Sequence, residues 1–327
     1  MYKFLCSALL TALFLIGCQK SETPTAAPAP TKVTIAQFGH VFLYLPLYVA
    51  KEKGFFAEQG LDVTLVSTGG DDKTFAAVAS GSAQFGVADP VFTAIAREQG
   101  KGGKVIASLV NGVPFWGVTY RKDVSPIDSP AGFAGLRIAT YPSPSTNYAV
   151  MANALKQASA TDKATIVQGA FGTLLALLKA DKADVAMELE PVASIAVKDG
   201  ARVIYSAARR FNDFAFTGIT TTDERLANDP KQAQAVVTAI AKSLAWIHAD
   251  FEGALAVARS EFSDVPEDVL RNGLRRLIDD RVIPTSVVLG ESSWNNAVEL
   301  RRSLGEIKGS ASFAENVDMR LAKLASQ

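Results

Sequence analysis

At 327 residues with 48% apolar content, the chain is long enough to bury two cores, and its formal net charge of zero with no basic run excludes a surface built to neutralise nucleic-acid phosphates. Two histidines and two cysteines leave too few soft ligands for a zinc or iron–sulfur centre, and no disulfide framework can form in the body of the chain. No Ser-His-Asp spacing, GxSxG elbow or phosphate-cradling Walker loop is present, so neither the composition nor the motifs point to catalysis or to a bound cofactor.

The N-terminus reads as an address. Lys3 precedes an apolar run from Phe4 to Ile16 that is too short to span a bilayer. That run ends in Leu15-Ile16-Gly17-Cys18, which resembles a bacterial lipobox. The resemblance implies removal of residues 1–17 and a diacylglycerol thioether on Cys18, with each buried methylene contributing about 0.8 kcal/mol of membrane affinity. An ordinary secretory signal with an incidental cysteine is the alternative. Residues 18–31 carry three prolines and no large apolar residue, which describes an extended tether.

A first βα lobe follows. Residues 32–36 (KVTIA) alternate as a strand, and a loop through Phe38-Gly39-His40 leads to a helix opening near Pro46, where a missing N–H is harmless. Residues 61–66 form a strand, the turn Ser67-Thr-Gly-Gly-Asp-Asp72 caps a helix to Ser80, and a strand at 84–87 ends in Asp89-Pro90. A helix at 91–99, a strand at 105–110 and a further strand at 114–120, which leaves the lobe, complete it.

The pattern then starts again. VTIAQF at 33–38 is echoed by LRIATY at 136–141, and AQFGV at 83–87 by ADVAM at 183–187, an offset of about one hundred residues. An acid-Pro pair follows the corresponding strand in both halves, Asp89-Pro90 and Glu190-Pro191. Two such lobes would face each other through the loop edges where open α/β sheets take ligands. The alternative is the general likeness of any two α/β domains. Residues 214–221 alternate as a strand returning to the first lobe, and five helical stretches follow. The longest, 230–250, carries apolar residues at 233, 236, 237, 240, 241, 244 and 247.

PLYVAKEKGFFAEQGLDVTLV, then GG, then ASGSAQFGVADP, then GLRIATYPSPSTNYAV, then KADKADVAMELEP together resemble the periplasmic substrate-binding proteins of ABC importers. The nearest group is that for nitrate, sulfonates, taurine and thiamine-pyrimidine precursors. The resemblance implies a two-lobe periplasmic-binding-protein type II fold of the α/β class, with a helical C-terminal region packed on the first lobe. It places residues 32–120 and 212–327 in lobe 1 and 121–211 in lobe 2. It further implies a monomer without cofactor, held by its lipid to the periplasmic side of the envelope. Such a monomer hands a small molecule to a permease and its ATPase. A sensing lobe for a membrane kinase and a pyrimidine-synthase-like enzyme are the competing expectations.

Mapped onto this chain, the cleft edges of the first lobe would be Gly39, His40, Leu45, Pro46, Thr68, Gly69, Gly70, Ala88 and Asp89. Those of the second would be Thr140, Ser145, Thr146, Asn147, Glu188 and Glu190, with Trp116 on the hinge side. Leu189 stands where the family often has tryptophan, which removes a stacking platform. Asp89, Glu188 and Glu190 are the charges expected at the cleft, and no arginine falls on its loops. Such a site suits an amine, an aminopyrimidine or an aminosulfonate. Helix capping is the competing role for Asp89 and Glu190.

Overall fold

The computed structural model describes residues 29–143 and 145–327. The signal segment, Cys18 and the tether up to residue 28 lie outside the described residues. The first half of the chain runs β1 (Thr31–Gln37), α1 (Leu45–Glu52), α2 (Phe55–Glu58), β2 (Leu61–Ser67), α3 (Asp71–Ala79), β3 (Phe85–Ala88), α4 (Phe92–Glu98) and β4 (Gly103–Asn111). It continues through β5 (Trp116–Thr119) into β6 (Arg137–Thr140), α5 (Thr146–Gln157), β7 (Thr165–Gln168), α6 (Leu174–Lys179), β8 (Val185–Glu188), α7 (Val192–Lys198) and β9 (Arg202–Ser206). After α8 (Ala207–Arg210), strand β10 (Ala215–Thr222) leads to α9 (Asp223–Asn228) and α10 (Pro230–Ala249). Then come α11 (Phe251–Glu261), α12 (Glu267–Asp279), α13 (Glu291–Ser303), α14 (Phe313–Asn316) and α15 (Arg320–Ala325).

Two five-stranded sheets result, ordered β2-β1-β3-β10-β4 and β7-β6-β8-β5-β9. In each, one antiparallel strand lies beside the third strand of its lobe. Central strands β3 and β8 are buried along their whole length, as strands covered on both faces must be, although β8 ends in Glu188. Gly86 permits close packing of α3 on β3: a Cβ there would meet Val78 Cγ2 at 2.9 Å and Thr220 Oγ1 at 2.8 Å.

One boundary differs from the expectation. Residues 116–119, assigned to the first lobe on sequence, hydrogen-bond between β8 and β9 in the second sheet. Their burial at every position marks a strand covered on both faces and carries no information about which sheet supplies the partner.

The C-terminal helices fasten the two sheets together. Helix α10 packs on α1 and α15, while α12 reaches α7 and α13 reaches α5 in the second half. At the end of α12, the Asp280 carboxylate accepts from Trp116 Nε1 (2.8 Å), Ser206 Oγ (3.0 Å) and Arg209 Nε (2.7 Å). Lys198 pairs with Asp268 at 2.6 Å at the other end of the same contact. Among the described residues no helix is long and apolar enough to cross a membrane.

Candidate functional site

The carboxyl ends of the parallel strands in both sheets converge on one cavity, which holds about 540 Å³ of space, its open mouth included. From the first sheet come Phe38, Val41, Leu43 and Tyr44 after β1, Asp71 at the start of α3, and Asp89 after β3. From the second come Tyr141 after β6, Ser145 to Asn147 opening α5, Phe171 between β7 and α6, and Leu189 after β8. The crossing segments add Phe115, Phe216 and Thr217. This is the switch-point position at which α/β sheets present loops to a ligand.

Aromatic rings dominate the wall. Phe115 meets Tyr141 edge-on with centroids 6.2 Å apart and Phe216 at 5.7 Å, and Phe171 lies tilted against Tyr141 at 5.3 Å. Aromatic surface that Leu189 does not provide is therefore present on other residues of the wall.

Of the expected site residues, Asp89, Ser145, Thr146 and Asn147 reach the cavity. Asn147 is committed to structure, accepting from the Tyr141 N–H (3.1 Å) and donating to the Met187 carbonyl (2.9 Å). Ser145 caps α5 by accepting from the Tyr148 N–H at 3.3 Å. The others stand elsewhere, each for a local reason. Gly39 and His40 turn away from the wall, and the imidazole Nε2 lies 2.8 Å from Glu261 with its ring stacked on Phe262. Leu45 and Pro46 are core residues of α1, and the Pro46 carbonyl accepts from Ser243 Oγ. Thr68 spends its hydroxyl on Gln37, Gly70 and Thr74, which shapes the Gly69–Gly70 turn into α3 rather than a ligand contact. Ala88 and Thr140 are buried at strand ends, and Trp116 is held by Asp280 on the α12 side.

The three expected carboxylates are compensated, each differently. Asp89 accepts from the Val91 N–H (2.9 Å) in the turn that leads into α4, and its other oxygen accepts from Arg301 Nη2 at 2.6 Å. Glu190 accepts from the Ser194 N–H and hydroxyl (both 3.1 Å) and pairs with Arg276 of α12, so it faces that helix and not the cavity. Burial raises the Glu190 carboxyl, and Arg276 opposes the rise. Glu188 is 0% exposed and takes the Tyr141 hydroxyl at 2.8 Å, while its Oε1 has no partner. Burial pushes its carboxyl up to about 7, so a proton replaces the missing counter-charge.

Two charged residues were missed. Arg301, 2% exposed on α13, donates from Nη2 to Asp89 in the first half and to Thr146 Oγ1 (2.8 Å) in the second, and from Nη1 to Glu306 (2.9 Å). Its signal was present: Trp294, Ala297, Val298 and Arg301 share the buried stripe of that helix, where an arginine has to have acidic company. Asp71 is the second. It accepts from the Asp89 N–H at 3.0 Å, lines the cavity, and pairs with no described cation. Burial pushes its carboxyl up to about 6, helped by the neighbouring Asp89 charge and opposed by the Asp89 N–H and the more distant Arg301 charge. Among the described residues no lysine or arginine lines the cavity, and no group of three or more His, Cys, Asp or Glu could hold a metal ion.

A family model described as NMT1/THI5 like matches residues 42–254. The Bacillus subtilis binding protein YtlA is 24% identical over 98% of this chain and 96% of its own length. A Saccharomyces cerevisiae 4-amino-5-hydroxymethyl-2-methylpyrimidine phosphate synthase, THI11, is 32% identical over 79 residues, 24% of this chain and 23% of the yeast protein. Among solved structures, the ligand-binding component of an ABC-type import system from Staphylococcus aureus superposes with a TM-score of 0.71 at 15% identity, covering 90% of this chain and 99% of that one.

Proposed function

Because the chain belongs to the NMT1/THI5-like family, and because its cleft sets six aromatic rings around Asp71, a carboxyl in no ion pair among the described residues, we propose that it is the substrate-binding lipoprotein of an ABC importer for a small planar heterocycle bearing an amino group, of the aminopyrimidine kind. The single observation that carries the ligand class is Asp71. A carboxylate on a wall of six aromatic rings, with Asp89 as a second acid and no lysine or arginine in the lining among the described residues, favours a flat cation or amine donor over a bare oxyanion. The yeast relatives, matched over 24% of this chain, are named as synthases of an aminopyrimidine phosphate, and YtlA is named as a binding protein, both in keeping with this reading. The ligand bridges the edges of the two lobes and stabilises their closed arrangement through its higher affinity for it. The lipid on Cys18 would hold the domain at the periplasmic face, within reach of its permease.

A thermal-shift series tests the ligand. Mature protein is mixed with 4-amino-5-hydroxymethyl-2-methylpyrimidine, taurine, an alkanesulfonate and nitrate. The pyrimidine should stabilise the fold by about 2.7 kcal/mol at one hundred times its Kd. Stabilisation by nitrate or the sulfonate, with none by the pyrimidine, would refute the assignment.

A further inference from the structure

Phe171 has a place in the cleft that packing does not explain. It is 56% exposed, yet it lines the cavity and leans on Tyr141 with ring centroids 5.3 Å apart at 46°. A half-wet phenylalanine forgoes burial that the fold could have used, and here the exposed ring forms part of the wall of an aromatic cleft.

The loop beneath it is built with a fixed base and a free tip. The Gly169 N–H donates to the Thr140 carbonyl (2.9 Å), and a Cβ on Gly169 would meet Leu177 and Leu174 of α6 at 2.7 and 2.9 Å. Thr173 closes the far side, donating from its N–H (3.0 Å) and its hydroxyl (2.8 Å) to the Ala170 carbonyl. Between these anchors, Phe171 is followed by Gly172 at φ +80°, with nothing within 4 Å of where its Cβ would be.

The first lobe shows what this loop adds. There the Thr68 N–H donates to the Gln37 carbonyl at 3.0 Å, the counterpart of the Gly169–Thr140 bond. That connection runs only through residues 68–70 before α3 begins, whereas the second runs through residues 169–173 before α6. The two extra residues lengthen the loop that presents Phe171 to the cavity, where the shorter first-lobe turn has two glycines and no ring.

We infer that Phe171 is the lid of the binding site and its specificity-determining residue for planarity, swinging over a flat ligand and covering its outer face. The inference rests on the ligand class proposed above. The inner face of the ligand meets the fixed rings of the wall, and Phe171 supplies the last stacking surface on closure. Its contribution falls on dissociation, since the ring must lift before the ligand leaves.

The test uses the mature protein and three variants, Phe171→Ala, Phe171→Leu and Phe171→Trp, with 4-amino-5-hydroxymethyl-2-methylpyrimidine as the probe. Calorimetric titration and stopped-flow release are measured, together with the melting temperature of the ligand-free protein. Loss of one stacking face weakens binding by about tenfold in the Ala and Leu variants, through faster release, while Trp keeps affinity within about threefold. Ligand-free melting temperatures stay together, because the ring is half exposed. Binding by the Leu variant equal to that of wild type would overturn the planarity role, and equal binding by the Ala variant would overturn the lid while leaving the ligand class standing. Wild-type protein that takes no pyrimidine at all removes the ligand class and the lid with it.

Discussion

Asp71 and Glu188 are both carboxyls raised by burial, and they differ in what lies in front of them. Asp71 opens onto the cavity, so its charge is available to a ligand, whereas Glu188 is sealed behind Tyr141. Asp71→Asn should weaken the aminopyrimidine by roughly ten- to a hundredfold above pH 7, the range of a charged hydrogen bond. The gap between wild type and variant should close as pH falls below about 6 and Asp71 takes up its proton, which titrations at pH 5 and 8 would show. Glu188 should be seen in stability instead. Its folded pKa of about 7 lies above the ordinary 4.5, so folding takes up a proton. The contribution is complete below about pH 4.5 and is lost as pH rises through 7, on the order of 3 kcal/mol. Urea denaturation should find Glu188→Gln more stable than wild type at pH 8 and lacking the decline between pH 5 and 7. An unchanged decline would place its origin in other groups. The sequence showed Asp89 and Glu190 but not their compensation, because Arg301 and Arg276 arrive from helices far along the chain.

Helices were the most legible elements. The apolar positions of 230–250 specify one stripe, and α10 spans Pro230–Ala249 with Val236, Val237, Ile240, Leu244 and Ile247 buried. Strand β5 was legible as a strand and not as a member of the second sheet, since a period of two is silent about partners. Helix α13 shows the same limit in another form. Its pattern predicts an amphipathic helix, but an arginine on the buried stripe gains meaning only once Asp89 and Thr146 lie against it. Replacing Arg301 with Leu strips the counter-charge from a buried Asp89 and should destabilise the protein by about 3–5 kcal/mol in chemical denaturation. A change below about 1 kcal/mol would mean that Asp89 finds another partner or a proton.

At the scale of the whole molecule, α12 and α13 work as a brace across the two halves, with Asp280 and Arg276 on one and Arg301 on the other. Calorimetry should therefore record a single unfolding transition. Asp280→Ala, which leaves Trp116 Nε1, Ser206 and Arg209 without their common acceptor, should lower its midpoint or split it in two. Sequence repetition at an offset of about one hundred residues hinted at paired lobes, and the two sheets do share one strand order. Yet each sheet is completed by a foreign strand: β5, made after β4, fills the second, and β10, made after β9, fills the first. The halves are thus intertwined like the arms of a swapped dimer joined end to end. A fragment stopping near residue 120 would carry an empty slot between β3 and β4 and a homeless β5. During synthesis the first sheet has to wait for the second half of the chain before it can close.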